Sequence, residues 1–340
     1  MDAKHRNALR RVIGCLTAGL AVMTTSVEGQ PKTPQSLSVI VFPGGFNLPI
    51  WAAERQGFFE QNGVRVLITP TPSSTFQMQG LAEGRFDIAM TAIDNVVAYQ
   101  EGQGEAKIPD NPDMFAFMGA DNGFLSLVGG QGVRSLAELK GKKLSVDAMS
   151  TGYAFVLREL LARNGIAESE VTFERAGGVM GRYQELLKGT HAGTMLITPF
   201  DLLAANKGHV QLVRAAEQLG AYQGVVGAAR RSWARQNEAA LVGFVRAWQS
   251  GVGFLYDPSN RDIAEALLVA NVRAMTPQLA KQSLQVLLDD KNGFFKDPSV
   301  DMKGLATVLA LRSKYAEPRR TLSDPAKYVD ASYAEKARQR

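Results

Sequence analysis

The chain has 340 residues, of which 45% are hydrophobic and 21% are charged, and its formal net charge is +5. This composition is ordinary for a folded globular protein, and the length allows a sizeable core without disulfides or metals to stabilise it. Basic residues are spread along the chain instead of being clustered, so nucleic acid is not expected as a partner.

Residues 1–29 have the organisation of a signal peptide. Residues 4–11 form a positively charged stretch, and residues 12–23 form an apolar stretch that is too short for a stable membrane anchor. Val27 and Gly29 suit the small-residue cleavage positions. An amphipathic first helix is the alternative, but the charges cluster at one end and do not follow a helical stripe. We therefore predict an exported, periplasmic protein.

The only cysteine is Cys15. It lies too close to Arg11 for an apolar stretch to precede it, so we do not expect a lipid anchor at this position. Removal of residues 1–29 would leave a chain without disulfides, a thiolate nucleophile or a cysteine-ligated metal.

The first part of the remaining chain alternates short apolar runs with helical patterns. The next part repeats this order, and Leu81 with Gly84 is echoed by Leu186 with Gly189. Such alternation predicts βαβ units and two α/β lobes of similar plan. The predicted strands are 37–41, 64–69, 87–91, 143–146, 171–175 and 193–197, and the predicted helices are 49–56, 75–83, 94–100, 152–164, 180–188 and 199–206.

From residue 231 onward the pattern is helical only. The predicted helices there are 237–255, 261–270, 277–288 and 302–315. A helical end must pack back onto one of the lobes, so we predict that the chain crosses between the lobes twice. The predicted crossings lie near 121–127 and 220–226, and their glycines are hinge candidates: Gly123, Gly220, Gly224 and Gly227. The predicted domains are 36–125 with 223–340 as lobe one, and 126–222 as lobe two.

Several motifs together resemble a known protein family. The stretch 46–64, with Ala53, Gly57, Phe58 and Phe59, resembles the opening of nitrate/sulfonate/taurine-type substrate-binding proteins of ABC transporters, a group that includes thiamine-precursor binders. Three further matches follow in the expected order: Leu81, Gly84, Asp87 and Ile88; Leu136, Leu139, Lys140, Gly141 and Lys142; and Tyr328, Val329, Asp330, Ser332 and Tyr333. In one departure, the second Gly-x-x-Asp step has Ala192 in place of the acid.

The resemblance implies a two-lobed α/β protein of the type 2 periplasmic binding fold. Each lobe would hold a mixed, mostly parallel sheet flanked by helices, and the helical C-terminal region would pack on lobe one. A small organic ligand would bind between the lobes, and the closed protein would deliver it to a membrane permease of an ABC importer. We expect a monomer.

Loops at the strand ends supply the candidate site, because ligands of open α/β sheets bind beyond the carboxyl ends of the strands. Ser150, Thr151 and Gly152 begin a helix and could receive an anionic group, although Ser150 or Thr151 could equally serve only as a cap. The candidate ligand-binding residues are Gly45, Phe46, Asn47, Thr91, Asp94, Asn122, Ser150, Thr151, Gly152, Tyr153, Gly178, Thr198, Phe200 and Asp201.

Loop aromatic residues beside acids predict the kind of ligand. Phe46, Tyr153 and Phe200 would contact an aromatic or apolar body. Asp94 and Asp201 would accept hydrogen bonds from its polar end, unless they only cap helices. On this basis, alanine at Tyr153 or at Asp201 should weaken binding. Arg182 could pair with a ligand carboxylate, but it lies inside a predicted helix, so a position in solvent or between the lobes is expected for it.

Enzyme motifs are absent from the sequence. Beyond residue 29 the histidines are His191 and His209, and neither has a ligating residue at metal spacing. We therefore expect no catalysis, no cofactor and no metal. The alternative is an enzyme or sensory domain on the same fold. Thiamine-pyrimidine synthases, which resemble this chain in outline, use a histidine cluster and cysteines that it lacks.

Overall fold

The structure, a computed structural model, describes residues 33–109 and 112–339. The predicted signal peptide and Cys15 lie outside the described residues. Ten strands occur in the described part of the chain: β1 Gln35–Val41, β2 Val64–Pro70, β3 Ile88–Ala92, β4 Met114–Gly119, β5 Leu125–Gly129, β6 Lys143–Val146, β7 Thr172–Arg175, β8 Gly193–Ile197, β9 Gln211–Arg214 and β10 Val225–Arg230.

The strands form two five-stranded sheets of the same plan. The first sheet has the order β2-β1-β3-β10-β4 and the second has the order β7-β6-β8-β5-β9. In each sheet, one strand that has just crossed from the other sheet, β10 or β5, runs antiparallel to both of its neighbours. The other neighbouring strands pair in parallel. The predicted α/β class with two mixed, mostly parallel sheets is confirmed.

Helices connect the strands and make up most of the C-terminal third. Their bounds are α1 Leu48–Arg55, α2 Phe58–Gln61, α3 Ser74–Ala82, α4 Ile93–Gln100, α5 Gly152–Arg163, α6 Val179–Leu187, α7 Phe200–Ala205, α8 Ala215–Leu219, α9 Arg231–Gln236, α10 Glu238–Tyr256, α11 Arg261–Asn271, α12 Pro277–Leu287, α13 Met302–Tyr315 and α14 Ser332–Arg338. Short 3-10 turns lie at Gly45–Asn47, Leu136–Leu139, Glu168–Glu170, Pro258–Asn260 and Pro325–Tyr328.

The long helix α10 attaches the C-terminal region to the first sheet. It packs along α1, α2 and α14, and its apolar side buries Phe244 and Trp248 completely. Phe244 stacks on Phe59 and meets Phe117 edge to face, so helix and sheet share one core. The helix α13 differs because it packs against both α4 and α5, one on each side of the cleft.

We call the first sheet with α1–α4 and α9–α14 the first lobe, and the second sheet with α5–α8 the second lobe. The chain crosses from the first lobe to the second between β4 and β5, and returns between α8 and β10. The residue limits inferred from the sequence for the two lobes stay a prediction.

The two crossing segments lie side by side. Gly224 N donates to Asp121 O at 3.0 Å, and Ala120 N donates to Val225 O at 2.9 Å. Gln223 is fully buried, and its side-chain nitrogen donates to the carbonyls of Asp121 and Val225. The crossings therefore form a short double-stranded link between the lobes.

None of the helices in 33–109 and 112–339 combines the length and the apolar character needed to cross a membrane.

Candidate functional site

A cavity of about 30 Å³ lies between the lobes at the carboxyl ends of the parallel strands. In the described position it has room for only one or two water molecules, so an organic molecule can bind only when the lobes move apart. The first lobe contributes Phe42, Phe46, Ser74, Met90, Ala92, Asn95 and Val225, and the second contributes Asp147, Thr151, Gly152, Tyr153, Val179, Arg182 and Ile197.

The loop after β1 shapes the wall from the first lobe. Phe42 follows the strand directly, and the next turn carries Phe46, which is buried. The predicted site residue Asn47 does not line the cavity. Its amide nitrogen donates to Phe42 O at 2.7 Å and fixes the loop that presents both rings.

The start of α5 shapes the opposite wall. Three of the predicted site residues come together here, since Thr151, Gly152 and Tyr153 all line the cavity. A Cβ on Gly152 would lie 2.5 Å from Cβ and Cγ of Asp94 in the first lobe, so only glycine permits this approach. Burial raises the pKa of the Tyr153 hydroxyl above its usual range, which keeps it a neutral hydrogen-bonding group.

The expectation for Asp94 was wrong in its details. Asp94 lies in the first turn of α4, whose N-cap is Ala92, and it does not cap the helix. Its two carboxylate oxygens accept from Nε and Nη2 of Arg312 at 2.7 and 2.6 Å, and both side chains are buried. A carboxylate so engaged has no need of a ligand donor.

The N-terminus of α5 was expected to bind an anionic group of the ligand, but the donors of Ser150 and Thr151 are already in use. Ser150 N and Oγ both donate to Glu105 Oε1, at 3.0 and 3.2 Å. Thr151 Oγ1 donates to Ala148 O. Glu105 belongs to the first lobe and also pairs with Arg175 at 2.6 Å, so a carboxylate of the chain itself occupies this helix end.

Asp201 lies in a different cavity. Its carboxylate accepts from Ser126 Oγ at 3.1 Å, Thr198 Oγ1 at 3.3 Å and Leu202 N at 2.9 Å. Burial raises the pKa of Asp201 despite these bonds. The predicted residues Asn122, Thr198 and Asp201 share this second cavity of about 130 Å³ with Phe124, Leu125, Ser126, Arg214, Ala215, Ala216, Glu217, Tyr222, Val286 and Asn292.

The remaining predicted residues support the walls without lining the first cavity. Thr91 Oγ1 accepts from Asn95 Nδ2 at 2.8 Å and orients a lining residue. Gly178 N donates to Pro72 O at 2.8 Å across the cleft. Gly45 and Phe200 make apolar contacts. A Cβ on Gly45 would touch Pro199, and Phe200 is buried against Tyr183.

Sequence reasoning missed several lining residues. Phe42 and Asp147 directly follow β1 and β6. Because ligands bind beyond the carboxyl ends of such strands, their position in the sequence would have identified them. Arg182, for which a position at the surface or between the lobes was expected, takes the second of these: it is 3% exposed and lines the cavity between the lobes. Nothing in the helical pattern of α6 distinguishes an inward arginine from an outward one.

Several polar contacts hold the lobes together beside the cavity. Ser74 N donates to Asp147 Oδ2 at 3.1 Å. Glu159 on α5 accepts from Lys314 Nζ at 2.7 Å and from the Tyr315 hydroxyl at 2.8 Å, both on or ending α13. Burial alone would raise the pKa of Glu159, but hydrogen bonds from Lys314, Arg163 and Tyr315 lower it to about 2. The described arrangement is thus a closed one.

The crossing segments contain a buried acid. Asp121 is fully buried, and its Oδ1 accepts from Gly123 N at 2.7 Å and from Val225 N at 3.1 Å. Burial raises its pKa to about 6, although the two backbone bonds act in the opposite sense. A carboxyl whose pKa is higher in the folded state binds its proton more tightly there, so its contribution to stability is lost as the pH rises from about 4 to about 6.

Ionisation of Asp121 should lower the free energy of unfolding of the wild-type protein by about 3 kcal/mol above pH 6. We therefore expect Asp121→Asn to remove this loss. The asparagine oxygen can still accept both backbone bonds. Urea unfolding of both proteins at pH 4.5 and pH 7.5 tests this, and the difference between them is the readout because other groups titrate equally in both. A difference that does not change with pH would contradict the assignment.

The chain matches the model of one protein family, and many solved structures share its fold. A family model described as NMT1/THI5 like matches residues 47–260, whereas no curated protein sequence matches the chain. Among solved structures, the periplasmic nitrate-binding protein NrtA from Synechocystis PCC 6803 is similar with a TM-score of 0.74 at 12% identity, covering 90% of this chain and 89% of that one.

Two further structures have the same fold. The ligand-binding component of an ABC-type import system from Staphylococcus aureus, with zinc bound, gives a TM-score of 0.72 at 13% identity and covers 90% of this chain and 100% of that one. The alkanesulfonate-binding protein SsuA from Xanthomonas axonopodis pv. citri, bound to MOPS, gives 0.67 at 16% identity and covers 88% and 99%. At such identities the likeness is one of fold, and the fold is that of periplasmic binding proteins.

Proposed function

Since this chain belongs to the NMT1/THI5-like family, we propose that it is the periplasmic substrate-binding component of an ABC importer. It captures a small organic molecule between its lobes and delivers it to a membrane permease. Three of the proteins that share its fold are described as a nitrate-binding protein, an alkanesulfonate-binding protein and a ligand-binding component of an ABC-type import system.

The cavity between the lobes is the observation that carries the proposal. Both lobes line it, and a double-stranded link of two crossing segments is the connection about which they could open. Its walls combine apolar and aromatic side chains with a few convergent polar groups, which is typical of sites for small molecules.

The lining favours an organic ligand with an aromatic or apolar body and a polar or anionic end. Phe42, Phe46 and Tyr153 supply the rings, and Arg182 supplies a cation. The anionic end belongs at Arg182 and not at the start of α5, where Glu105 already accepts the free groups of Ser150.

The histidines give the enzyme alternative no support. His191 faces Glu174 at 3.1 Å, His209 bonds Gly129 O at 3.0 Å, and neither lines the cavity. We propose that the chain is a binding protein that performs no catalysis and acts as a monomer.

The proposal is tested by native mass spectrometry of the freshly purified protein, followed by thermal unfolding with a panel of sulfonates, carboxylates, aromatic acids and pyrimidines. A ligand that binds only the folded state raises the melting temperature with its concentration. We expect one bound small molecule per chain or a clear shift with at least one class. The absence of both would contradict the proposal.

We expect Tyr153→Ala to weaken binding of the molecule so identified by about 1–3 kcal/mol, because it removes a ring and a hydroxyl from the cavity wall. Asp201→Ala, which the sequence alone predicts to weaken binding as well, serves instead as the matched control, since the structure places its carboxylate in another cavity. Isothermal titration calorimetry on both variants is the measurement. Equal loss in both would place the ligand elsewhere.

A further inference from the structure

The cavity contains a buried cation without a counter-ion. Arg182 Nε donates to Met195 O at 3.3 Å and Nη1 donates to Gly177 O at 2.8 Å, and both acceptors are uncharged. Among the described residues, no carboxylate lies within 4 Å of its guanidinium. Burial lowers the pKa of Arg182, which is the mark of a charge removed from water. Such a charge is costly unless an anion approaches it.

The same cavity contains a carboxylate with a hydrogen-bond donor at only one of its two oxygens. Asp147 Oδ2 accepts from Ser74 N, but its Oδ1 is buried and has no donor in the described part of the chain. The Ser74 hydroxyl oxygen beside it is buried and lacks a partner as well. A buried acceptor left without a donor carries the full cost of its lost hydration.

Other charged groups near the cavity are already compensated. Asp94 pairs with Arg312 through two hydrogen bonds, and Glu105 pairs with Arg175. Within the described residues that line the cavity, Arg182 and Asp147 are the charged ones. The negative charge of Asp147 favours the charged form of Arg182, but the two side chains lie farther apart than an ion pair, so each could bind a separate group of a ligand once the lobes open.

We infer that the ligand is dipolar, carrying an oxyanion group that pairs with Arg182 and a separate N–H donor, an amine or amide, that bonds Asp147 Oδ1. This inference rests on the proposed function and specifies the ligand class of the same site. A bare anion would be repelled by Asp147, and a bare amine would be repelled by Arg182. A molecule with both groups gives each of them a partner, and where the donor is an ammonium group the ligand and the site together carry no net charge.

Apolar residues between the two charges indicate what joins the ligand's groups. Phe42, Phe46, Val179 and Ile197 line the same space. Compounds built on one apolar body therefore make a fair test: 4-(aminomethyl)benzoate has both groups, 4-methylbenzoate has the anion alone and 4-methylbenzylamine has the amine alone. The aliphatic set of γ-aminobutyrate, butyrate and butylamine repeats the comparison on a smaller body.

Binding of each compound to the purified wild-type protein is measured by calorimetry and by thermal shift. We expect the compound with both groups to bind at least about 10-fold more tightly than either partner that lacks one group. In Arg182→Gln the compound with both groups should lose its roughly 10-fold advantage over the compound with the amine alone. In Asp147→Asn the compound with the anion alone should gain affinity relative to the one with both groups. Circular dichroism checks that the glutamine variant is folded, and Arg182→Lys, which keeps the positive charge, is a second variant in case it is not.

The outcomes separate this inference from the proposed function. Tighter binding of anions alone, or affinities for the two-group compounds that neither variant changes, would overturn the dipolar ligand while leaving a binding protein. No bound molecule in the native mass spectrum, together with no shift from any compound of either panel, would overturn the proposed function itself.

Discussion

Replacing Arg312 by alanine is expected to lower the free energy of unfolding by about 3–5 kcal/mol. The Arg312 side chain is completely buried and holds Asp94 through two hydrogen bonds. It also donates to Gln103 Oε1 at 3.2 Å and to Ser150 O at 2.7 Å, and its guanidinium lies 4.9 Å from the centre of the Phe155 ring. Its removal leaves the Asp94 carboxylate buried without a cation, and this uncompensated charge is the main cost.

Arg319→Ala is the matched control. Arg319 pairs with Glu317 at 3.2 Å, but the two side chains are 69% and 72% exposed. We expect a change within about 0.5 kcal/mol there. Urea unfolding of both variants beside the wild type is the measurement, and equal effects would contradict the buried-pair argument. Replacing Asp94 and Arg312 together by leucine should recover much of the loss, since no charge is then left unpaired.

The Arg312 variant should also open more readily. Arg312 lies on α13 of the first lobe, whereas Ser150 and Phe155 belong to the second lobe. Loss of these contacts removes part of what holds the lobes together. Small-angle X-ray scattering should therefore show a larger radius of gyration for Arg312→Ala than for Arg319→Ala.

Gly224→Ala is expected to be the second severe substitution, with a loss of about 3 kcal/mol. A Cβ at this position would lie 2.0 Å from Gly123 N and 2.3 Å from Gly123 Cα, which are backbone atoms of the other crossing segment. Backbone cannot yield as a flexible side chain would. The two segments must separate, and the hydrogen bond from Gly224 N to Asp121 O is then disturbed.

Gly253→Ala provides the control with the same chemical change. Gly253 lies inside α10, and a Cβ there would meet nothing within 4 Å. Alanine is the better helix former, so this variant should gain about 0.5–1 kcal/mol. Chemical unfolding of both variants checks the pair, and a Gly224→Ala protein as stable as the wild type would show that the crossing segments are not rigidly held.

Much of the secondary structure could be predicted from the sequence because its signals are local. The helix predicted at 302–315 coincides with α13, and the other three C-terminal helices agree within one residue at each end. Gly57 and Gly84, which directly follow the predicted helices 49–56 and 75–83, have φ angles of 69° and 75°, a conformation that glycine adopts without strain. Prolines, helix-ending glycines and apolar periodicity act over a few residues and need no tertiary information.

Four strands were not predicted: β4, β5, β9 and β10. β4, β5 and nearly all of β10 are buried, so they lack the alternation that identifies a half-buried strand. β10 also contains Gly227, Ala228 and Ala229, which have low intrinsic strand propensity. Its place beside β3 and β4 arises from the crossing of the chain, which brings together segments more than a hundred residues apart.

By itself, the sequence determined the α/β class, the two-lobed plan and the helical C-terminal region, and it directed attention to the strand ends as a candidate site. Only the tertiary structure decided what the polar residues do. Asp94 and Arg312 are 218 residues apart in sequence, and their pairing changes Asp94 from a ligand candidate to a structural anion. Arg182 in turn lines the cavity because of the direction in which α6 packs. A side chain's role depends on which partners reach it in space, and local patterns carry no record of those partners.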